Sequence, residues 1–134
     1  MKTIGSFLCL AFFVLSCDSS EGTPAAGAAG TCDPLAFAML NTARSDAKVC
    51  AATTACIGSK CAEAAQECAG PDYKAQSYTG TCGTYLDCVK GCRCAKDCVD
   101  ACDPGTLDCA TCLSVKLGLG CVLTCASEIA SCGK

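Results

Sequence analysis

Eighteen cysteines in 134 residues leave this chain few ways to fold. Eleven of them stand in one stretch, CGTYLDCVKGCRCAKDCVDACDPGTLDCATCLSVKLGLGCVLTCASEIASC, from Cys82 to Cys132. Cysteine at this density in a short chain marks a disulfide framework. The supply of core residues agrees. The hydrophobic fraction is 51 %, but much of it is alanine and cysteine, and a good part of the rest lies in the first sixteen residues. Beyond Cys17 the large apolar side chains are thinly spread, from Leu35, Phe37, Met39 and Leu40 to Val122, Leu123 and Ile129. Each buried one contributes about 1.5–3 kcal/mol, against roughly 1–2 kcal/mol of backbone entropy per ordered residue. Small chains in that position rely on covalent staples.

The net charge is −3 and there is no cluster of Lys or Arg. Phosphate binding needs concentrated positive charge, so nucleic acid is excluded as a partner. The chain has no histidine, which removes Ser-His-Asp and Cys-His catalysis. It has no GxGxxG, phosphate loop or EF-hand loop either. Carboxylate pairs such as Asp97/Asp100 and Asp103/Asp108 lie in charged or turn contexts. The expectation is therefore no enzyme, no catalytic residue, no cofactor and no resident metal.

Residues 1–16, MKTIGSFLCLAFFVLS, join a positive Lys2 to an apolar run from Ile4 to Leu15. That run is shorter than the roughly 20 residues that span a bilayer and reads as a secretory signal. Its end, Val14-Leu15-Ser16-Cys17, resembles the lipobox of small cysteine-rich bacterial lipoproteins. The resemblance covers only this region. It implies cleavage before Cys17, a diacylglycerol on the Cys17 sulfur, and an acylated (palmitate-type) amino terminus. Such an anchor is ample for stable attachment. Cysteine parity points the same way. With Cys9 removed and Cys17 lipidated, sixteen cysteines remain, an even set that can pair completely. Residues 17–31 then form a lipid-anchored tether, because DSSEGTPAAGAAGT is rich in Gly, Ala, Ser and Pro and lacks periodicity. Residues 32–134 form a cysteine-rich domain.

That domain reads as mostly α. Asp33 caps a helix with Pro34 in its first turn. The first block predicts two helices, with a stripe running from Leu35 and Met39 through Ala43, Ala47 and Cys50. A break falls within 52–59, with Gly58-Ser59 as one corner. The second helix runs from Lys60 to Cys68 and stops at Gly70-Pro71. Tyr73 and Tyr78, in the polar connector 71–81, are expected to cover core edges, with a binding surface as the alternative. Cys88 and Cys92 share one helical face, as do Cys94, Cys98 and Cys102, so each set reaches a partner helix, and a pair of helices cross-linked twice would make a ladder. An irregularity is expected between Gly91 and Arg93, and a turn at Asp103-Pro104-Gly105. Gly118 and Gly120 interrupt the following helix. The last segment, from Cys121 to Cys132, is one helix ended by Gly133.

A faint repeat joins Cys56-x4-Cys61-x6-Cys68, Cys98-x3-Cys102-x6-Cys109 and Cys121-x3-Cys125-x6-Cys132. The first and third copies share text, AEAAQE against ASEIAS, which suggests duplicated helical hairpins.

The sixteen expected half-cystines are Cys32, Cys50, Cys56, Cys61, Cys68, Cys82, Cys88, Cys92, Cys94, Cys98, Cys102, Cys109, Cys112, Cys121, Cys125 and Cys132. Their partners are not readable, since sixteen cysteines allow about two million complete pairings. Cys109-Ala110-Thr111-Cys112 is a CxxC, but DPGTLD before it is no hydrophobic strand, so two structural half-cystines are expected there. The CxxxC pairs Cys88/Cys92, Cys94/Cys98, Cys98/Cys102 and Cys121/Cys125 are similar to those of exported Cu(I)-storage helical bundles. That weaker resemblance implies thiolates that bind soft Cu(I). The chain departs from it in lacking histidine, in having only Met39 beyond Met1, and in its breaks at Pro71, Pro104, Gly118 and Gly120.

The sequence thus predicts a small disulfide-rich helical domain held at a membrane through its lipid. It acts outside the cytoplasm, at a bacterial surface or in the periplasm, as a structural or interaction protein with an unidentified protein or ligand partner. The alternatives are a Cu(I) store and a secreted cysteine-rich binding protein without lipid.

Overall fold

A computed structural model describes residues 32–132, and no strand occurs among them. The elements are α1 (Pro34–Thr42), α2 (Ala51–Lys60), α3 (Ala62–Ala69), α4 (Gly83–Gly91), α5 (Lys96–Val99) and α6 (Leu107–Thr111). A π-helical segment (Cys112–Cys121), α7 (Val122–Thr124) and α8 (Ala126–Ser131) follow. A single 3-10 turn lies at Tyr73–Ala75.

Helix α1 begins as its sequence dictates. The Asp33 carboxylate accepts a hydrogen bond from the Ala36 amide at 3.1 Å, and Pro34 occupies the first turn. The other Asp33 oxygen accepts from the Thr54 hydroxyl at 2.8 Å, which fastens the start of α1 to α2. Leu35, Ala36, Ala38, Met39 and Leu40 are all buried, so α1 is a core helix with little amphipathic contrast. It packs chiefly on the π-helical segment and on α4.

Several boundaries differ from the sequence reading. The first block holds three helices rather than two. The stripe through Ala43, Ala47 and Cys50 does not continue, because α1 ends at Thr42 and Arg44 takes a positive φ of 53°. The later break falls at Cys61, not within 52–59. Alanine-rich AATTACIGSK tolerates Gly58 inside α2, while Cys61 leaves helical geometry at φ −120° and ψ 16°. The final segment is likewise not one helix, since Cys125 breaks it at φ −102° and ψ 16°. The expected stop at Gly133 lies outside the described residues.

These two breaks are alike in geometry. Cys61 and Cys125 occupy equivalent positions in the first and third copies, and each interrupts its helix in the same backbone conformation. After each, the carbonyl of the breaking cysteine accepts from the amide four residues on, Ala65 and Ile129, both at 2.9 Å. The middle copy is different, because Cys102 sits in the turn region after α5. The first and third segments lie against each other, joined by Cys56–Cys125 and Cys61–Cys121.

Gly118 and Gly120 do not break the chain. Residues 107–124 form one continuous helical run, widened between Cys112 and Cys121. In a widened helix the i→i+5 relation replaces i→i+4. The Val122 amide accordingly reaches the Leu117 carbonyl. The Leu113 carbonyl comes so close to residue 118 that a Cβ there would lie 2.8 Å from it, so only glycine fits.

The core is small and rich in sulfur. Leu35, Met39, Leu86, Val89, Val99 and Leu117 are fully enclosed, and so are the half-cystines Cys68, Cys82, Cys109 and Cys125. Tyr73 and Tyr78 are buried at its edge, in agreement with their expected covering role.

Candidate functional site

The predicted lipidation residue, Cys17, lies outside the described residues. All sixteen other predicted half-cystines lie within them, and all are paired. The bonds are Cys50–Cys132, Cys56–Cys125, Cys61–Cys121, Cys68–Cys112, Cys82–Cys109, Cys88–Cys102, Cys92–Cys98 and Cys32–Cys94. Their Cα separations run from 4.8 to 6.0 Å, inside the range a disulfide accepts.

Seven of the eight are nested. Each successive bond lies wholly inside the one before, with separations falling through 82, 69, 60, 44, 27, 14 and 6 residues. The chain is therefore one long antiparallel fold-back, rung by rung, with its apex in the loop between Cys92 and Cys98. Within it, Cys88 and Cys92 bond to Cys102 and Cys98, a double cross-link of the ladder kind, whereas Cys94, expected on the same face as Cys98 and Cys102, pairs with Cys32 instead. Only Cys32–Cys94 departs from the order, and it clamps the first described residue to the apex loop.

Nesting matters energetically. A lone disulfide that closes 60 residues restricts the unfolded chain strongly, but each rung here closes only the few residues beyond the next rung. Cys109 and Cys112 join Cys82 and Cys68 rather than each other, so the CxxC holds two structural half-cystines. The CxxxC sulfurs are likewise bonded to partners in this oxidised form. The outermost rung is closed off by Thr53, the one buried polar residue among those described. Its hydroxyl lies 3.0 Å from Cys132 Sγ. A half-cystine has no proton to give, so the hydroxyl donates.

Ion pairs sit beside the rungs. Lys60 Nζ lies 2.7 Å from the Glu128 carboxylate, next to Cys61 and Cys125. Lys116 pairs with Glu67 across the π-helical segment and α3. Lys96 and Asp100, four residues apart at α5, pair at 2.8 Å. All are exposed and screened by solvent, so they add little to stability.

One groove stands out. Asp33, Thr54, Ile57, Gly58, Tyr73 and Lys74 line a cavity of about 430 Å³, within the size range of small-ligand sites. The Tyr73 hydroxyl is buried there without a hydrogen-bond partner. Burial, reinforced by the Asp33 carboxylate, raises its pKa. The Lys74 ammonium stands 5.9 Å from the Tyr73 ring centroid and has no carboxylate partner among the described residues. An unpaired phenol and an unpaired ammonium flank an apolar floor formed by Ile57 and Gly58. Sequence reasoning missed this groove. Its only sequence signal was Tyr73 in a polar connector.

A second surface is apolar. Val115, Leu119 and Leu123 are 54 %, 62 % and 69 % exposed, and their four-residue spacing on the widened helix sets them in a ridge. Residues 107–124 have a mean hydropathy of 1.5, long and apolar enough to cross a bilayer by composition alone. However, Cys109, Cys112 and Cys121 bind this helix covalently to the rest of the fold-back.

No known protein family, curated protein or solved structure matches this chain.

Proposed function

We propose that this chain is a non-enzymatic interaction domain that works outside the cytoplasm, carried at a membrane on a lipid-modified Cys17. The observation that carries the reading is the complete pairing of the cysteines from Cys32 to Cys132. Disulfides in such number form and persist in oxidising compartments. The lipid anchor is supported by the Leu15-Ser16-Cys17 sequence and by the even count of the remaining cysteines. The interaction role is supported by the groove between Asp33 and Lys74, whose Lys74 ammonium has no carboxylate partner among the described residues. The absence of histidine supports a non-enzymatic role.

The test is the intact mass of the native protein, before and after reduction. A diacyl increment on a chain beginning at Cys17, with two hydrogens gained per disulfide on reduction, is the expected result. The same gain without lipid converts the reading to a secreted binding protein. No gain on reduction, with thiols that take up Cu(I), replaces it by a soft-metal store.

A further inference from the structure

The eight disulfides are not equally protected, and the difference is concentrated at the apex. Cys92–Cys98 and Cys88–Cys102 have the two shortest separations, 6 and 14 residues. A bond that closes a short loop removes less entropy from the open chain, so opening it costs the fold least. Cys98 and Cys88 are exposed and Cys92 is half-buried, whereas Cys68, Cys82, Cys109 and Cys125 are fully enclosed. The apex backbone is also the least regular part of the fold-back. Arg93 and Cys94 both hold positive φ, 51° and 57°, and α5 is a single turn.

The four apex sulfurs form one group. The sulfurs of Cys88, Cys92 and Cys102 lie within 4.8 Å of one another. Cys92 Sγ is 3.8 Å from Cys102 Sγ, although the two belong to different disulfides. Exposure gives the inner bond a direction. Cys98 is exposed and open to attack, whereas Cys92 is half-buried and stands beside the Cys102 sulfur.

We propose that the apex is a thiol–disulfide exchange site for an external dithiol. A thiolate of the dithiol attacks the exposed Cys98 sulfur, the Cys92–Cys98 bond breaks, and Cys92 leaves as thiolate. The second thiol of the reagent then resolves the mixed disulfide, releasing Cys98 as thiol and leaving the dithiol oxidised to a disulfide. Cys92 thiolate next attacks Cys102, forming Cys92–Cys102 and expelling Cys88 as thiolate. That last step consumes no further reductant and moves the free thiol to an exposed position at the end of α4. The six remaining disulfides, Cys32–Cys94 among them, keep the frame in place.

Two experiments test this on the full chain. The first is graded reduction of the oxidised protein with dithiothreitol, followed by acid quenching and thiol labelling. Cys98 and Cys88 should carry label at least about tenfold ahead of Cys50 and Cys132 at the open end of the ladder, with Cys92 held in the new bond to Cys102. Opening of the Cys50–Cys132 rung first, or simultaneous loss of all eight bonds, overturns the proposal. The second uses Cys98→Ser, which leaves Cys92 without its partner. A Cys92–Cys102 cross-linked peptide together with labelled Cys88 is the expected result. Label on Cys92 alone, with Cys88–Cys102 intact, removes the relay step.

Discussion

Cys112 and Cys121 stand nine residues apart yet face the same helix, bonded to Cys68 and Cys61 at the two ends of α3. On an α-helix, residues nine apart point about 180° away from each other. Widening to i→i+5 bonding gives about 4.4 residues per turn, and nine residues then complete close to two whole turns. The shorter rise of the wider helix also matches its nine residues to the seven of α3. The π-helical geometry is thus what lets both rungs close.

Gly118→Ala tests that relation. Its Cβ would meet the Leu113 carbonyl oxygen at 2.8 Å, so the widened turn must shift. A loss of about 1–3 kcal/mol is expected. Peptide mapping should also show a reduced yield of the Cys61–Cys121 cross-link. Gly91→Ala is the control. It lies in α4 with nothing within 4 Å of the added Cβ, and a gain of up to about 1 kcal/mol is expected in the same denaturant titration.

Nesting predicts a modest effect from losing a middle rung. Taken alone, the 60-residue loop closed by Cys61–Cys121 corresponds to about 4 kcal/mol of chain entropy. With Cys56–Cys125 and Cys68–Cys112 on either side, the double change Cys61→Ala/Cys121→Ala opens only a short internal loop, and about 2–3 kcal/mol is expected. Guanidinium unfolding of the oxidised variant measures it. A loss near the full single-loop value would show that the rungs act independently.

Glu128 makes stability fall in acid. The Lys60 ammonium, then the Ser127 hydroxyl, hold its pKa down from 4.5 to about 2. The folded state thus favours the carboxylate. The contribution is present above the unfolded pKa and is lost as pH falls from about 4.5 towards 2. Carboxyl-carbon NMR titration should place the Glu128 midpoint well below that of an ordinary glutamate, and Lys60→Met should move it back up.

The chain has three tyrosines, and all three are held neutral in the fold. Burial is the first cause for Tyr73, Tyr78 and Tyr85 alike, and the shift at Tyr78 is large. Asp33 adds to it at Tyr73 and Tyr78, and Asp87 adds further at Tyr78. Their contribution to stability is present below the unfolded value near 10 and is lost as pH rises above it. Phenolate absorbance should stay flat through pH 10 in the native protein and rise in one step when it unfolds. An early increment equal to one tyrosine would show that one of the three rings is open to solvent.

Much of this protein was determined by its sequence. Sixteen cysteines behind Cys17, set against so few large apolar side chains, required a stapled domain. Asp33-Pro34, Gly70 and Asp103-Pro104-Gly105 act locally, through capping and through backbone angles, and they stand where the chain says they should. The spacing of Cys88 and Cys92, and of Cys94, Cys98 and Cys102, showed shared helical faces and a possible ladder, but not which cysteines would pair. The order of the rungs was decided by tertiary structure alone. A disulfide needs two Cα atoms within about 6 Å, and residues 60 or 80 positions apart meet that condition only through packing. Packing also set the helix breaks at Cys61 and Cys125 and turned two expected glycine breaks into a widened helix. The groove of Asp33, Tyr73 and Lys74 was hidden for the same reason, since its walls come from three separate parts of the chain and no local pattern joins them.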